Sequence, residues 1–218
     1  SLGDVYINDA FSCSHRKQAS IHNITKFVKK SFAGPLLKKE INAINLVVQN
    51  KKKPVTCIIG GSKISTKINV ITSLIEKVDN LIIVGAMANN FFIYKNFNVG
   101  KSLIEENAKK IIKTIFEKAK ENKCKILIPD DCMVSSSFNG DGKNKDLNSI
   151  EDNDIILDIG TKTLRNIKHT IDQSNTVLWN GPAGYFENKN FMKGTMTIAE
   201  TISKNTVEKS LISILGGG

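Results

Sequence analysis

Apolar positions in this 218-residue chain follow two alternating rhythms. Short, nearly continuous apolar runs at Val55–Ile59, Leu81–Val84, Lys125–Ile128, Ile155–Asp158, Thr176–Trp179 and Leu211–Leu215 predict strands. Spacings near 3.6 predict helices between them. One carries Ile68, Ile71, Leu74 and Ile75; another runs over Ile104–Lys120, with Ile111, Ile112, Ile115, Phe116 and Ala119 on one face. Two more are expected at Thr163–Ile171 and Phe191–Ile202. Strands that are apolar throughout are covered on both faces, so this alternation indicates an α/β fold with a doubly wound, Rossmann-like parallel sheet.

Ahead of that sheet lie a short β-type stretch, Val5-Tyr6-Ile7, and a loop from Asn8 to Ser20. A helical pattern then runs from Gly34-Pro35 to about Asn50, carrying Leu36, Leu37, Ile41, Ile44 and Val47. Its proline sits in the first turn, where a missing N–H costs nothing. The polar break at Lys51–Pro54 is an expected boundary, which divides the chain into residues 1–33, 34–51 and 52–218. Residues 132–154, rich in Gly, Asn, Asp and Ser, are expected to make a surface excursion with a small hairpin and no chemistry.

Glycines close the predicted strands: Gly60-Gly61, Gly85, Gly160, Gly181 and Gly216-Gly217-Gly218. Ligands of open α/β sheets bind at the carboxyl ends of the strands, and a rim bare of side chains lets a flat ligand reach the backbone. A rim of purely structural turns is the alternative. In Gly60-Gly61-Ser62-Lys63-Ile64-Ser65-Thr66-Lys67, neither a Walker loop nor GxGxxG is present. Lys63 and Lys67, four apart, are expected to share a face at a helix N-terminus, where the macrodipole disfavours cations unless an anion joins them. Two solvated lysines would give the same letters. In Trp179-Asn180-Gly181-Pro182-Ala183-Gly184-Tyr185-Phe186-Glu187, a turn follows a strand, and Glu187 is either a ligand of two ribose hydroxyls or a surface carboxylate. The segment Val5 to Arg16 ends in His15-Arg16. The Arg16 fork suits a phosphate or carboxylate, unless it is simply exposed on a loop.

The net charge of +10 points to anionic partners, but only Arg16 and Arg165 among the 31 basic residues are arginines, so lysine here is filler and a lone lysine says little. Arginines are not clustered with aromatics, so small anions rather than nucleic acid are expected. No apolar run nears the roughly 18 residues of a membrane span, and no signal peptide is visible, so no membrane partner is expected. Cys13, Cys57, Cys124 and Cys132 form no CxxC pair, and are expected to be reduced in an intracellular protein.

Taken together these segments resemble phosphoglycerate kinase. That family has G-D-V-Y-V-N-D-A-F, H-R, G-x-L-x-x-K-E, G-G-A-K-V-x-D-K, W-N-G-P-x-G-x-F-E and G-G-G-D; here Gly3–Phe11, His15-Arg16, Gly34–Glu40, Gly60–Lys67, Trp179–Glu187 and Gly216–Gly218 follow in that order. The resemblance implies reversible phosphoryl transfer between 1,3-bisphosphoglycerate and ADP, giving 3-phosphoglycerate and ATP, with Mg2+ on the nucleotide. It implies that Lys63 follows the transferring phosphoryl group and is catalytic, and that Lys67 binds the nucleotide phosphates. Gly61, Gly85, Ala86, Gly160, Asn180, Gly181, Pro182, Glu187 and Gly216 to Gly218 would complete the nucleotide site. Arg16, with His15, would hold the phosphate of 3-phosphoglycerate. Residues 1–33 would be the end of a substrate-binding domain, 34–51 an interdomain helix and 52–218 the nucleotide-binding domain of a cytoplasmic enzyme that is a monomer when intact.

Ala86 replaces a usual glycine where the adenine face rests, Thr66 a usual acidic residue, and Thr161 a usual proline. The chain starts after the family's first substrate-binding segments, with their transition-state arginine. It stops before the Asp expected near the metal-nucleotide. It is therefore expected to be a fragment without turnover, in which Val5–Ile7 lacks its sheet and residues 1–33 are mobile or ordered by a neighbour. A non-enzymatic adenine-nucleotide module, or another α/β transferase or dehydrogenase, are the other readings.

Overall fold

The structure is a computed structural model that describes residues 3–49 and 52–216, the backbone alone for 46–49. The chain divides into two compact units, Ser1–Lys51 and Lys52–Gly218. The expected break at Lys51, and Gly217 and Gly218, fall outside the described residues.

In the first unit β1 (Val5–Asn8) pairs in parallel with β2 (Lys30–Ala33). The expectation that Val5–Ile7 has no sheet is thus corrected. β2, with the sequence Lys-Ser-Phe-Ala, is exposed throughout and has no apolar run to announce it. α1 (Pro35–Gln49) follows. Its first turn has spare N–H groups, and Asp9 Oδ1 accepts one from Leu37 at 2.7 Å, while the Gly34 N–H bonds Asn8 O at 2.7 Å.

The second unit holds a five-stranded sheet, wholly parallel, built from β3 (Val55–Ile59), β4 (Asn80–Ile83), β5 (Lys125–Leu127), β9 (Thr176–Asn180) and β10 (Ile212–Gly216) in the order β10-β9-β3-β4-β5. Side chains alternate across it. Cys57, Ile59, Leu81 and Ile83 face α2 (Ile68–Ile75), α3 (Ala88–Tyr94) and α4 (Ala108–Glu121), where Ile71, Ile75, Phe91, Ile112 and Ile115 meet them. Ile58, Ile82, Val84, Val177 and Trp179 face α5 (Thr161–Asp172) and α6 (Lys193–Glu208), packed on Leu164, Ile167, Ile171, Ile198 and Ile202. Each fully buried aliphatic side chain contributes about 1.5–3 kcal/mol. The doubly wound sheet read from the sequence is therefore present. α3 was not foreseen.

One strand was misplaced. The run Ile155–Asp158 does form β8 (Ile155–Ile159), but β8 belongs to a second, antiparallel sheet of order β7-β6-β8, with β6 (Asp131–Ser135) and β7 (Lys143–Asp146). An apolar strand followed by Gly and a helix looks the same in either sheet. The expected hairpin within 132–154 is the β6/β7 pair.

The chain enters the parallel sheet at β3 in its middle, builds outward to β5, then returns to place β9 on the other side of β3. That reversal is the switch point where a crevice opens at the carboxyl ends.

Candidate functional site

Three glycine turns meet at this switch point. The Gly60 N–H bonds Asn180 O at 2.8 Å, Gly85 N–H bonds Ala183 O at 3.0 Å, and Met87 N–H bonds Gly61 O at 2.9 Å. The backbones are so close that a β carbon on Gly60 would collide with the Pro182 carbonyl oxygen. Gly85 also has φ of +71°, and a β carbon there would lie 2.6 Å from Gly61 N. Only glycine satisfies both demands. Trp179 Nε1 donates to Gly181 O at 2.7 Å and Thr195 Oγ1 accepts from Ala183 N at 3.0 Å, fixing the Gly181–Ala183 turn from both sides.

Residues 60–67 form a turn, and α2 begins only at Ile68 with Lys67 as its N-cap. Lys63 and Lys67 therefore do not share a helix face, which corrects the expectation drawn from their spacing. Lys67 turns inward: Nζ donates to Gly60 O at 2.8 Å and to Asn180 Oδ1 at 2.7 Å. Burial lowers its pKa, against the opposing influence of the Cys57 thiol. Lys63 is exposed on the loop. The N–H of Ser65 is already taken, by Glu105 Oε2 at 3.0 Å.

Beside these turns is a pocket of about 380 Å3, lined mainly by apolar groups that include Ala86, Phe92, Leu103, Phe138, Ile156 and Tyr185. That size suits a small-molecule ligand. Gly61, Gly85, Ala86, Pro182 and Glu187 line it, with Glu187 exposed. Phe138 and Tyr185 meet edge to face, centroids 5.5 Å apart. The excursion 132–154, expected to be idle, thus supplies part of the wall through Cys132 and Phe138. Asp158, also on the wall, accepts from Gly194 N at 2.7 Å and from Ile159 N at 2.8 Å; burial nevertheless pushes its carboxyl up to about 6.

Asn180 and Gly181 are not among the residues that line the pocket; they pack on Gly60, next in the chain to the lining residues Gly61 and Pro182, and Gly216 pairs with Asn180 in the β10/β9 ladder. Gly160 is not on this rim: it caps α5 after β8, and a β carbon there would strike the Asp131 carboxylate. Arg16 and His15 are exposed in the first unit, just after the turn Phe11–Cys13. The four cysteines are free, and burial pushes the Cys57 thiol up to about 12 and that of Cys132 higher still. Among the described residues no group of three or more His, Cys, Asp or Glu is placed to hold a metal, and no helix is long and apolar enough to cross a membrane.

The family model of phosphoglycerate kinase matches residues 1–218. The chain belongs to the phosphoglycerate kinase family. It is 46% identical over 219 residues to the phosphoglycerate kinase of Wolbachia pipientis subsp. Culex pipiens, covering 100% of this chain and 55% of that protein. Against the phosphoglycerate kinase of Bartonella tribocorum it is 41% identical, over 99% of this chain and 55% of the relative. The phosphoglycerate kinase structure from Coxiella burnetii matches with a TM-score of 0.89 at 36% identity, over 99% of this chain and 55% of that one. The chain thus spans about half the length of the family members it matches. The pocket-wall residues Phe92, Leu103 and Phe138 escaped the sequence reading because they come together only through long-range packing.

Proposed function

We propose that this chain supplies the nucleotide side of a kinase that moves a phosphoryl group reversibly between 1,3-bisphosphoglycerate and ADP, giving 3-phosphoglycerate and ATP. The observation that carries this reading is the glycine-edged apolar pocket with the anchored Lys67 ammonium at its side. Adenine would lie against Ala86, Phe92 and Leu103, with Glu187 at the ribose and Lys67 and Asn180 toward the phosphates. Mg2+ would arrive as part of the nucleotide substrate.

The acceptor oxygen in this reaction is already a nucleophile, so catalysis consists of positioning and charge neutralisation. Charge neutralisation falls to Lys63, which is exposed on its loop and free to follow the group that moves. Arg16 is assigned to the phosphate of the acid substrate, and a cytoplasmic setting goes with the same reading. For the 218 residues by themselves we propose nucleotide binding without turnover.

The test uses a protein of the relatives' length that contains this chain. Lys63→Ala should lower kcat by on the order of 10³ while nucleotide affinity changes little, because a charge that acts on the transition state appears in kcat. A change confined to the KM for nucleotide would make Lys63 a ground-state ligand and defeat the assignment.

A further inference from the structure

The loop that carries Lys63 has no ladder of its own. Of residues 62–67 only Ile64 is buried, and two local bonds, Thr66 Oγ1 to Lys63 O at 2.9 Å and Lys67 N to Ile64 O at 3.0 Å, shape the turn. Its backbone is tied to a distant side chain at Ser65, whose N–H donates to Glu105 Oε2 at 3.0 Å, from 40 positions away. A hydrogen bond to an ionised carboxylate is about twice as strong as a neutral one.

Glu105 is itself held. Its N–H donates to Asn90 Oδ1 at 2.8 Å, and Asn89 Nδ2 donates to Leu103 O at 2.9 Å, fastening the strap formed by residues 101–105 to the start of α3. Its other end is fixed by Ile156 N to Ser102 Oγ at 2.8 Å and by Lys101 N to Asp154 O at 2.8 Å, fastening it beside β8. The strap is therefore hydrogen-bonded to the pocket-wall residues Asn89 and Ile156 and, through Glu105, to the Lys63 loop.

We propose that Glu105 is a positioning residue for Lys63: its carboxylate grips the loop backbone and sets where the ammonium stands. The ionised form is the one that grips. The Ser65 bonds, then the Ile64 N–H and the Lys63 charge, hold the carboxyl below the usual glutamate range. A displacement of about 1 Å in a group that acts on a transition state can cost about 10²-fold in rate. Nucleotide affinity should be spared, because Lys67 Nζ is held by Gly60 O and Asn180 Oδ1, and the strap stays fastened to the pocket wall through Leu103 O, Ser102 Oγ and the Glu105 N–H, without the Glu105 carboxylate. The inference rests on the transition-state role assigned to Lys63 above.

The experiment is a double-mutant cycle in the protein of the relatives' length, with kcat and ADP affinity measured for each variant. Glu105→Ala should lower kcat about 10- to 100-fold with ADP affinity within about twofold, and should have almost no further effect in a Lys63→Ala background. Glu105→Gln, which keeps an acceptor oxygen but not the charge, should recover part of kcat. It also serves as the test if the alanine variant fails to fold. If Lys63→Ala is impaired but both Glu105 variants keep the parental kcat, this inference alone falls. Equal losses from Glu105→Ala in both backgrounds also overturn it, because the effect then does not pass through Lys63. If Lys63→Ala keeps its kcat, the reading beneath fails and takes this inference with it.

Discussion

Lys67 Nζ lies 2.7 Å from Asn180 Oδ1, and this hydrogen bond joins the loop after β3 to the end of β9 at the point where the strand order of the sheet reverses. Two segments that are 113 positions apart thereby share one polar centre, with Gly60 O as the third member. A half-buried ammonium with two acceptors among the described residues has a third N–H to offer a ligand.

Lys67→Met should therefore weaken ADP binding about 10- to 100-fold, since a hydrogen bond to a charged group contributes about 1.5–3 kcal/mol. Asn180→Ala should weaken it less, and the two losses should not add. Calorimetric titration of the single and double variants checks both points. Additive losses would mean that the two side chains act separately.

Gly85→Ala should destabilise the second unit by about 1–3 kcal/mol, because the new methyl meets the Gly61 backbone at a positive φ. ADP affinity should fall with it, because the same turn edges the pocket. Urea unfolding of the variant reads the first effect, and an unchanged midpoint would show that the three turns are not tightly packed.

Asp158 predicts a pH dependence. Its folded pKa, raised by burial to about 6, favours the protonated form, so its contribution to stability is present below the ordinary aspartate range and is lost as pH rises through about 6. Asp158→Asn removes this titration, at a cost of about 1–3 kcal/mol for setting an amide N–H against a backbone donor. Denaturant unfolding between pH 4 and 7 should show the native protein losing stability relative to the variant as pH rises. Parallel profiles would contradict the assignment.

Arg16→Ala, in a protein of the relatives' length, should raise the KM for 3-phosphoglycerate at least tenfold while ADP binding stays the same. Charge-assisted contacts to a phosphate have that weight. Equal loss for both ligands would remove Arg16 from the acid-substrate site.

Strands such as Val55–Ile59 and Thr176–Asn180 were legible because a strand covered on both faces must be apolar at every position, and their glycines because a backbone this crowded admits no β carbon. Partner choice was not legible. Ile155–Ile159 has the same letters in a parallel or an antiparallel sheet, which is why Gly160 was assigned to a rim it does not share. Spacing alone also misled at Lys63 and Lys67, where a shared helix face was expected and a turn is found, with one lysine inward and the other exposed. Glu105 carried no signal, because its role depends on Ser65 and on the strap between them in space.

The measurement that bears most directly on the central claim is calorimetric titration of ADP into the 218-residue chain at low salt, with its folding confirmed by a cooperative melt. The account predicts saturable binding at one site per chain, weakened by Lys67→Met and by Glu187→Ala. A folded chain that gives no binding heat with ADP would contradict it.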